Sequence, residues 1–282
     1  MKNQQSRNIY RFNNQQLISV SDQITVEEPL EIKIGFGKGK ARQQRSLSVT
    51  MRTPGDDFNL VRGFLFTEGL IANNSDILSM RYIGNQLDKM AQENVLLVDL
   101  NPDLPFDINQ LNRHFYTSSS CGVCGKASIE MVRTTSCYLL NKNHPQIVQN
   151  IIYHLPERLR AAQTVFDQTG GIHAVGLFNK NGNLLFAAED VGRHNAMDKL
   201  IGKALKEQLL PLSDDIILVS GRTSFELTQK AIMAGVPILA AVGAPSTLAI
   251  DLAEENGMTL IGFLNKTRAN IYCGVERLRS TN

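Results

Sequence analysis

The sequence predicts an α/β protein whose C-terminal half contains a mainly parallel sheet with helices on both faces. Three segments in that half, 216–219, 237–242 and 259–264, are continuous apolar runs, as expected for strands buried on both sides. Helical segments alternate with them and end at glycines, Gly235 and Gly257. Such alternation favours parallel strands that are joined by crossover helices.

The N-terminal half begins with a polar, Asn- and Gln-rich segment, and residues 1–20 are predicted to be poorly ordered. Residues 24–51 alternate between apolar and polar side chains around a glycine-rich turn, which predicts two strands. A helix follows, with Thr53 as its expected cap. Residues 94–98 alternate again and predict another strand. We therefore expect a smaller α+β domain.

That domain is expected to cover residues 21–145 and to include a mobile loop at 117–126, and a second domain covers 146–282. The second domain opens with a helix and continues with a hairpin, whose strands 172–178 and 184–188 flank an Asn-Gly turn. Its last strands are followed by polar segments at 220–223, 243–246 and 265–268. Ligands bind parallel sheets beyond the carboxyl ends of the strands, so a ligand site is expected there.

The composition and the charge of the chain argue against several classes of function and location. Of the 282 residues 43% are hydrophobic and 20% charged, and the net charge of +2 gives no electrostatic argument for a nucleic-acid or membrane partner. The longest apolar stretch, 236–242, is too short to span a bilayer, and the polar N-terminus does not resemble a secretory signal. Four cysteines do not make a disulfide scaffold, so a cytoplasmic location is expected.

A pair of cysteines lies between glycines at Cys121 and Cys124. Together with Cys137 and His144, the pair supplies the four ligands that a zinc site needs. The sequence contains no second close cysteine pair, however, as zinc sites usually have. A thioredoxin-like redox pair is a second interpretation, although no core strand precedes the motif. The third is a nucleophilic or sulfur-carrying thiol, which needs an exposed loop and a low thiol pKa.

Two further segments open helices after predicted strands. In the segment 189–195, Arg193 and His194 are suited to binding an anion or transferring a proton. The alternative interpretation of this segment is an ordinary acidic helix start. In the segment 220–224, Arg222 and the backbone N–H groups are suited to phosphate, although capping by Ser224 explains part of the pattern.

The last core strand ends in a turn at 263–268, which contains an aromatic ring and two cations, Phe263, Lys266 and Arg268. Such a set suits a nucleobase and a phosphate, and a solvated basic turn is the alternative. His173 lies within an apolar strand and is predicted to contribute to packing.

Taken together, these segments resemble the FdhD/NarQ family of formate dehydrogenase accessory sulfurtransferases. They span residues 53 to about 272, and five of them in the right order are far more specific than any one alone. The segments are Thr53-Pro54-Gly55-Asp56 with Gly63-Phe64-Leu65 and Glu68-Gly69-Leu70, Cys121-Gly122-Val123-Cys124-Gly125, Glu189-Asp190-Val191-Gly192-Arg193-His194-Asn195-Ala196 with Asp198-Lys199, Ser220-Gly221-Arg222, and Gly262-Phe263 with Arg268-Ala269.

The resemblance implies that Cys121 accepts sulfur as a persulfide from a cysteine desulfurase, and that Cys124 assists. It also implies delivery of this sulfur to the molybdenum cofactor, bis(molybdopterin guanine dinucleotide), for formate dehydrogenase. No structural metal is expected. The residues expected to bind the cofactor are Phe263, Leu264, Asn265, Lys266, Thr267, Arg268, Arg222, Arg193 and His194.

Relatives often have Pro-Gly where Lys266-Thr267 precede Arg268 here, which is a departure from the family pattern. The resemblance further implies a homodimer and a cytidine-deaminase-like C-terminal fold. Deaminase chemistry is not expected, because the positions of its zinc ligands hold Arg193-His194 and Gly221-Arg222.

Two other functions stay open at this level. A non-catalytic chaperone would bind the molybdenum cofactor or apo-formate dehydrogenase without using its cysteines. A dithiol redox protein would need Cys121 and Cys124 equally, whereas a sulfur carrier would depend more on Cys121.

Overall fold

The computed structural model describes residues 3–84, 93–104 and 138–280. The described strands are β1 (Gln4–Asn13), β2 (Gln16–Thr25), β3 (Glu28–Phe36), β4 (Gln43–Arg52), β5 (Ile77–Tyr82), β6 (Val95–Leu100), β7 (Ile147–Val148), β8 (His173–Asn179), β9 (Leu184–Asp190), β10 (Asp215–Val219), β11 (Ile238–Ala241), β12 (Thr259–Gly262), β13 (Asn270–Cys273) and β14 (Leu278–Arg279). The described helices are α1 (Asp57–Thr67), α2 (Gln149–Ala162), α3 (Thr164–Thr169), α4 (Arg193–Lys206), α5 (Phe225–Met233) and α6 (Thr247–Glu255). None of these helices is long and apolar enough to cross a bilayer.

The C-terminal sheet has the strand order β13-β12-β11-β10-β8-β9. Among these described strands only β10–β11 and β11–β12 pair in parallel, and the three other pairs are antiparallel. The prediction of a mainly parallel sheet is therefore wrong, and the sheet is mixed. The short turn between β8 and β9 forces antiparallel pairing, because a parallel pair needs a long crossover.

Helices on both faces of this sheet are confirmed. The inward side chains of α2, including Ile152, Leu155 and Leu159, pack on one face against Phe178 and Ile216. Helices α4, α5 and α6 cover the other face, where their apolar residues form a larger cluster with alternate residues of the strands. The alternation of strand side chains between two apolar layers explains why the strand sequences read as continuous apolar runs.

The N-terminal sheet has the order β4-β3-β6-β5, in which the two predicted strands of residues 24–51, β3 and β4, pair antiparallel. Its buried residues, such as Ile32 and Leu96, belong to the same hydrophobic cluster as Leu60 of α1 and Leu200 of α4. A continuous core therefore joins the N-terminal sheet to the helices of the C-terminal half. The predicted division at residue 145 stays a prediction.

Helices α1 and α4 approach each other backbone to backbone. A Cβ atom added at Gly63 would lie 1.9 Å from the carbonyl oxygen of Asp198, and one added at Gly202 would lie 1.9 Å from that of Asn59. Any larger side chain at either position would push the helices apart. The two glycines thus set the spacing between the halves of the molecule.

The start of α1 differs from its prediction. The helix begins at Asp57, after a turn in which Gly55 has φ +104° and Asp56 has φ +62°. Thr53 does not cap it: its hydroxyl oxygen accepts a hydrogen bond from the backbone N–H of Val191 at 3.1 Å. The segment Thr53–Asp56 is therefore a turn, and its hydrogen bond to Val191 connects the N-terminal half to the C-terminal half of the chain.

The prediction of a poorly ordered segment at residues 1–20 is also wrong. Strands β1 and β2 form an antiparallel hairpin, which we call the arm (residues 4–25). Its two-residue turn, Asn14-Gln15, has positive φ at both positions, as type I′ hairpin turns require. The polar composition hides the strand signal, since apolar side chains such as Ile9 and Val20 recur between the Asn, Gln and Ser residues.

Candidate functional site

A cavity of about 1110 Å³ lies at the carboxyl ends of the central strands. Ser220 follows β10, Val242 follows β11, and Asn265 and Lys266 follow β12, and all four line it. This strand-end cavity lies where the sequence places a ligand site. Its volume is slightly above the range of roughly 300–1,000 Å³ that is usual for sites of small molecules and cofactors.

The opposite wall of the strand-end cavity comes from α2 and α3, which no sequence motif singled out. The guanidinium of Arg160 lies 4.5 Å from the ring centre of Phe166, and it also pairs with Asp167. Gln163, which lies between the two helices, is 4% exposed and lines the same cavity. A cation stacked on an aromatic ring offers both charge and a flat surface to a ligand.

His173 also lines the strand-end cavity, although the sequence predicted that it would contribute only to packing. It is the first residue of β8 and is half-buried. Burial lowers the pKa of His173, and the neighbouring Arg193 and His194 lower it further. Its imidazole is therefore neutral near pH 7, so one ring nitrogen can donate a hydrogen bond and the other can accept one.

The turn at 263–268 lies beside this site, and its residues Asn265 and Lys266 line the cavity, whereas Phe263 and Arg268 do not. Phe263 has φ +52°, and its ring lies 5.1 Å from the guanidinium carbon of Arg268. The side-chain oxygen of Asn265 accepts hydrogen bonds from the backbone N–H groups of Thr267 and Arg268, both at 3.0 Å. These internal hydrogen bonds stabilise the turn, while the side chains of Phe263 and Arg268 are exposed.

Other residues of this turn have different surroundings. Lys266 forms an ion pair with Glu157 at 3.3 Å, and both side chains are largely exposed, so the pair is weak and easily exchanged for a ligand. The side chain of Leu264 is fully buried in the second hydrophobic cluster. Leu264 therefore holds the turn on the sheet, and its side chain does not face the cavity.

The three remaining predicted residues do not converge on the strand-end cavity. Arg222 is exposed on the loop after β10 and is absent from the cavity lining. Arg193 is the first residue of α4, and its Nε atom is buried with no hydrogen-bond partner among the described residues. His194, the next residue, faces a different cavity.

That second cavity, of about 700 Å³, lies between β4, α1, α4 and α5 and shares Val191 with the first. The Nε2 atom of His194 lies 2.9 Å from Oε2 of Glu226 and 3.2 Å from Oγ of Ser224. Ser224 also caps α5, as its alternative interpretation predicted, by accepting from the N–H of Leu227. His194 is therefore held by α5 and not by the turn at 263–268, which we call the strand-end turn.

Neighbouring residues of the same sequence motif have a structural role. The ammonium of Lys199 lies 2.7 Å from Oδ2 of Asp190 and donates to the carbonyl of Thr53 at 2.9 Å. Asp190 also accepts from the N–H groups of Thr53 and Gly192 and from the amide of Asn195. We call this cluster the polar lock (Thr53, Asp190, Asn195, Lys199). It is buried and fully hydrogen-bonded, so it joins the two halves of the chain.

The predicted cysteine site, Cys121 and Cys124, lies outside the described residues, as does Cys137. His144, the fourth ligand of the zinc alternative, has its Nε2 atom 2.8 Å from a carboxylate oxygen of Asp214. Cys273 is a described free cysteine; burial raises the pKa of its thiol, which donates to the carbonyl of Met258. Cys273 is therefore a poor nucleophile at neutral pH.

Sequence reasoning missed four residues of the strand-end cavity, Arg160, Gln163, Phe166 and His173. One signal was available in the sequence for His173, because it lies just after Gly170-Gly171, near the start of the predicted strand 172–178. Arg160 lies on α2, Phe166 on α3 and Gln163 between the two helices, which reach the cavity through packing across the sheet. Their sequence spacing carries no information about which strand ends they meet.

The fold and the cavity define a mixed α/β protein with a nucleotide-sized site at the ends of its sheet. The chain belongs to the FdhD/NarQ family, whose model matches residues 25–279.

Two similar proteins are called sulfur carrier protein FdhD. The one from Streptomyces coelicolor is 47% identical over 96% of this chain and 94% of its own length, and the one from Saccharolobus solfataricus is 41% identical over 96% of each chain. A solved structure, described as a putative formate dehydrogenase accessory protein from Desulfotalea psychrophila, matches with a TM-score of 0.73. At 21% identity it covers 99% of this chain and 100% of its own, and it supports the fold.

Proposed function

We propose that this protein is a sulfur carrier that takes persulfide sulfur from a cysteine desulfurase on Cys121 and delivers it to the molybdenum cofactor required by formate dehydrogenase. The observation that carries the proposal is the strand-end cavity with an aromatic and cationic turn beside it, in a chain whose relatives are named sulfur carriers. The cofactor, bis(molybdopterin guanine dinucleotide), is the substrate of this transfer.

The residues of the cavity fit the nucleotide part of that substrate. The exposed ring of Phe263, with Arg268 beside it, suits stacking against a guanine base. Lys266 and Arg160 provide cations for a pyrophosphate, and each now pairs with an exposed carboxylate that such a ligand can replace. Neutral His173 adds a hydrogen-bond donor deeper in the cavity.

The sulfur chemistry balances with the two cysteines Cys121 and Cys124. The Cys121 thiolate attacks the terminal sulfur of the desulfurase persulfide, which forms a new S–S bond and releases the desulfurase thiolate. When the Cys124 thiolate then attacks Sγ of Cys121, a Cys121–Cys124 disulfide forms and hydrosulfide leaves. The two cysteines supply the two electrons, and hydrosulfide replaces an oxo ligand of molybdenum with loss of its oxygen as water or hydroxide. A cellular dithiol then reduces the disulfide.

Mass spectrometry after incubation with a cysteine desulfurase and cysteine tests the carrier role. We expect a gain of one sulfur atom on the peptide that contains Cys121, and its loss on treatment with a reductant. The Cys121→Ala variant should gain no sulfur, and Cys124→Ala should retain the persulfide longer than the unsubstituted chain. If a desulfurase that is active on another acceptor adds no sulfur to the Cys124→Ala variant either, the carrier role is wrong.

A non-catalytic chaperone is the second candidate, because the strand-end cavity can bind a nucleotide without any cysteine. The Cys121→Ala variant separates the two functions. A chaperone keeps its ability to support formate dehydrogenase activity after this substitution, whereas a sulfur carrier loses it. Binding of guanosine diphosphate to the variant is the matched control, since either function predicts that it is unchanged.

Several finer expectations belong to the same proposal. We expect a homodimer, a cytoplasmic location and a cytidine-deaminase-like arrangement of the C-terminal sheet. A homodimer would allow two strand-end cavities to hold the two guanine nucleotides of a single cofactor. Transfer from the desulfurase and delivery to formate dehydrogenase require this protein to meet both partners.

A further inference from the structure

The second cavity differs from the strand-end cavity in its charge. Its described lining contains one cationic side chain of the Lys or Arg type, that of Lys230, and four carboxylates, which belong to Glu27, Glu68, Asp198 and Glu226. The described lining of the strand-end cavity, in contrast, contains two carboxylates and two such cations. The excess of negative charge disfavours a phosphate in the second cavity and favours a ligand that is rich in N–H donors.

The cation of the second cavity is already used within the protein. The ammonium of Lys230 lies 2.9 Å from both carboxylate oxygens of Asp198, and it donates to the hydroxyl oxygen of Thr67 at 2.8 Å. The side chains of Lys230 and Asp198 are 9% and 3% exposed. An anion that drew Lys230 away would leave the carboxylate of Asp198 buried without its cation, so this pair is part of the wall and not a binding group.

Two other side chains of the lining are placed to bind a ligand. Glu226 and Gln229 lie three residues apart on α5, which is one turn of the helix. Oε2 of Glu226 is held 2.9 Å from Nε2 of His194, and a carboxylate has further lone pairs with which it can accept. Gln229 is 7% exposed, and its Nε2 donor has no hydrogen-bond partner among the described residues. Because an unpaired buried donor is costly, an acceptor is expected beside Gln229.

A carboxylate beside an amide donor is complementary to one edge of a particular heterocycle. The 2-amino-4-oxopyrimidine ring, which occurs in pterins and in guanine, presents two adjacent N–H groups to a carboxylate and, next to them, a carbonyl oxygen to an amide N–H. Side chains three apart on a helix have Cβ atoms roughly 5–6 Å apart, so both can reach the same ring edge. The apolar part of the lining, which includes Leu60, Phe64 and Val191, suits the flat faces of such a ring.

We propose that the second cavity binds a 2-amino-4-oxopyrimidine ring, with Glu226 accepting from its two N–H groups and Gln229 donating to its carbonyl oxygen. The ring is that of a pterin, because a pterin is uncharged, whereas a guanine nucleotide would bring phosphates into an acidic cavity. That this ring is the pterin of the molybdenum cofactor rests on the proposed function. The two cavities share Val191 in their linings, so one ligand can extend from the strand-end cavity into the second.

Titration of the full chain with 6-hydroxymethylpterin up to millimolar concentration, followed by the fluorescence of the ring, tests the proposal. We expect saturable binding, and about tenfold weaker binding of 6-hydroxymethyllumazine, in which an oxo group replaces the 2-amino group. Glu226→Gln and Gln229→Met should each weaken binding of the pterin about tenfold. Glu226→Gln should also remove the preference for the pterin over the lumazine. Neither substitution should change the affinity for guanosine diphosphate.

The matched control is Lys266→Ala/Arg268→Ala, which should weaken binding of guanosine diphosphate and leave pterin binding unchanged. If pterin binding is lost in this control, or if guanosine diphosphate displaces the pterin, the ring lies in the strand-end cavity and the proposal is wrong. Absence of pterin binding by the unsubstituted chain would also overturn it, while the persulfide test on Cys121 would remain a separate test of the proposed function.

Urea unfolding of Gln229→Met provides an independent readout. The substitution removes a buried donor without a partner, so the variant should be at least as stable as the unsubstituted chain. A clear loss of stability would show that the amide of Gln229 is a structural group, and would contradict its role as a ligand-binding donor.

Discussion

Two regions near the ends of the sheets, the polar lock and the turn at 263–268, both contain charged side chains, but the surroundings of those side chains are opposite. In the polar lock, Asp190 and Lys199 are buried, and their polar atoms are paired with one another or with backbone groups. In the strand-end turn, Lys266 and Arg268 are exposed, and their partners are a carboxylate in solvent, a neighbouring amide and a ring. Charge alone therefore does not distinguish a structural group from one that is available to a ligand.

The difference lies in what a ligand would have to displace. An anion entering the polar lock would have to break a buried ion pair and several backbone hydrogen bonds, at a cost of several kcal/mol. An anion entering the strand-end cavity would replace only solvent-screened pairs that contribute little to stability. We therefore expect substitutions in the polar lock to reduce stability, and substitutions at the turn to reduce binding.

The largest effect is expected next to the polar lock, where α1 meets α4. In Gly63→Ala the new methyl group would lie 1.9 Å from the carbonyl oxygen of Asp198, so the helices must separate. We expect a loss of about 4 kcal/mol or a failure to fold, measured by urea unfolding. Gly171→Ala, whose added Cβ meets only ordinary contacts, is the control. Equal stability of the two variants would contradict the close approach of the helices.

Breaking the ion pair of the polar lock should have the next largest effect. Lys199→Met leaves the carboxylate of Asp190 buried without its cation, and we expect a loss of about 3 kcal/mol of unfolding free energy. The matched control is Lys266→Met at the exposed pair with Glu157, which should lose less than about 0.5 kcal/mol. Comparable losses at the two pairs would refute the distinction between the regions.

The strand-end turn should show the opposite pattern. We expect Lys266→Ala/Arg268→Ala to weaken guanosine diphosphate binding about tenfold, or about 1.4 kcal/mol, with almost unchanged stability. Isothermal titration calorimetry at two salt concentrations measures this, and the loss should shrink at high salt because exposed charges are screened. Lys38→Ala, at an exposed ion pair on the N-terminal sheet, should bind normally. Unchanged binding by the double variant would exclude the turn from the site.

The pH dependence of binding should identify His173. Burial, with Arg193 and His194, lowers the pKa of His173 in the free protein, and a bound diphosphate would raise it. Binding would then take up a proton, so affinity should rise a few-fold as pH falls through 6.5 toward 5.5. His173→Gln should show only the pH dependence of the nucleotide itself. Identical profiles for the two proteins would remove His173 from the site.

Much of this organisation could be predicted from the sequence. The apolar runs of β10, β11 and β12 and their terminal polar segments led to the end of the C-terminal sheet at which the strand-end cavity lies. The contribution of α2 and α3 could not be predicted, because Arg160 and Phe166 reach the cavity through tertiary packing. The same limit applies to Thr53, which resembles a helix cap in sequence but accepts its hydrogen bond from a residue 138 positions away. The arm was missed because a ribbon exposed on both faces lacks the usual contrast between an apolar and a polar face.

The smallest expected change in stability is at Phe263. It is the sharpest test of the comparison, because substitution with glycine should raise stability and lower binding. Phe263 has φ +52°, where a side chain other than glycine is strained by about 1 kcal/mol. Phe263→Gly relieves that strain, so unfolding free energy should stay equal or rise by up to about 1 kcal/mol. Guanosine diphosphate binding should fall nevertheless, because the stacking surface is gone. Phe263→Ala keeps the strain and loses the ring, so it should be less stable than Phe263→Gly while binding equally poorly. If Phe263→Gly is the less stable of the two, the turn is held in this conformation by the ring itself, and the strain is not retained for the ligand.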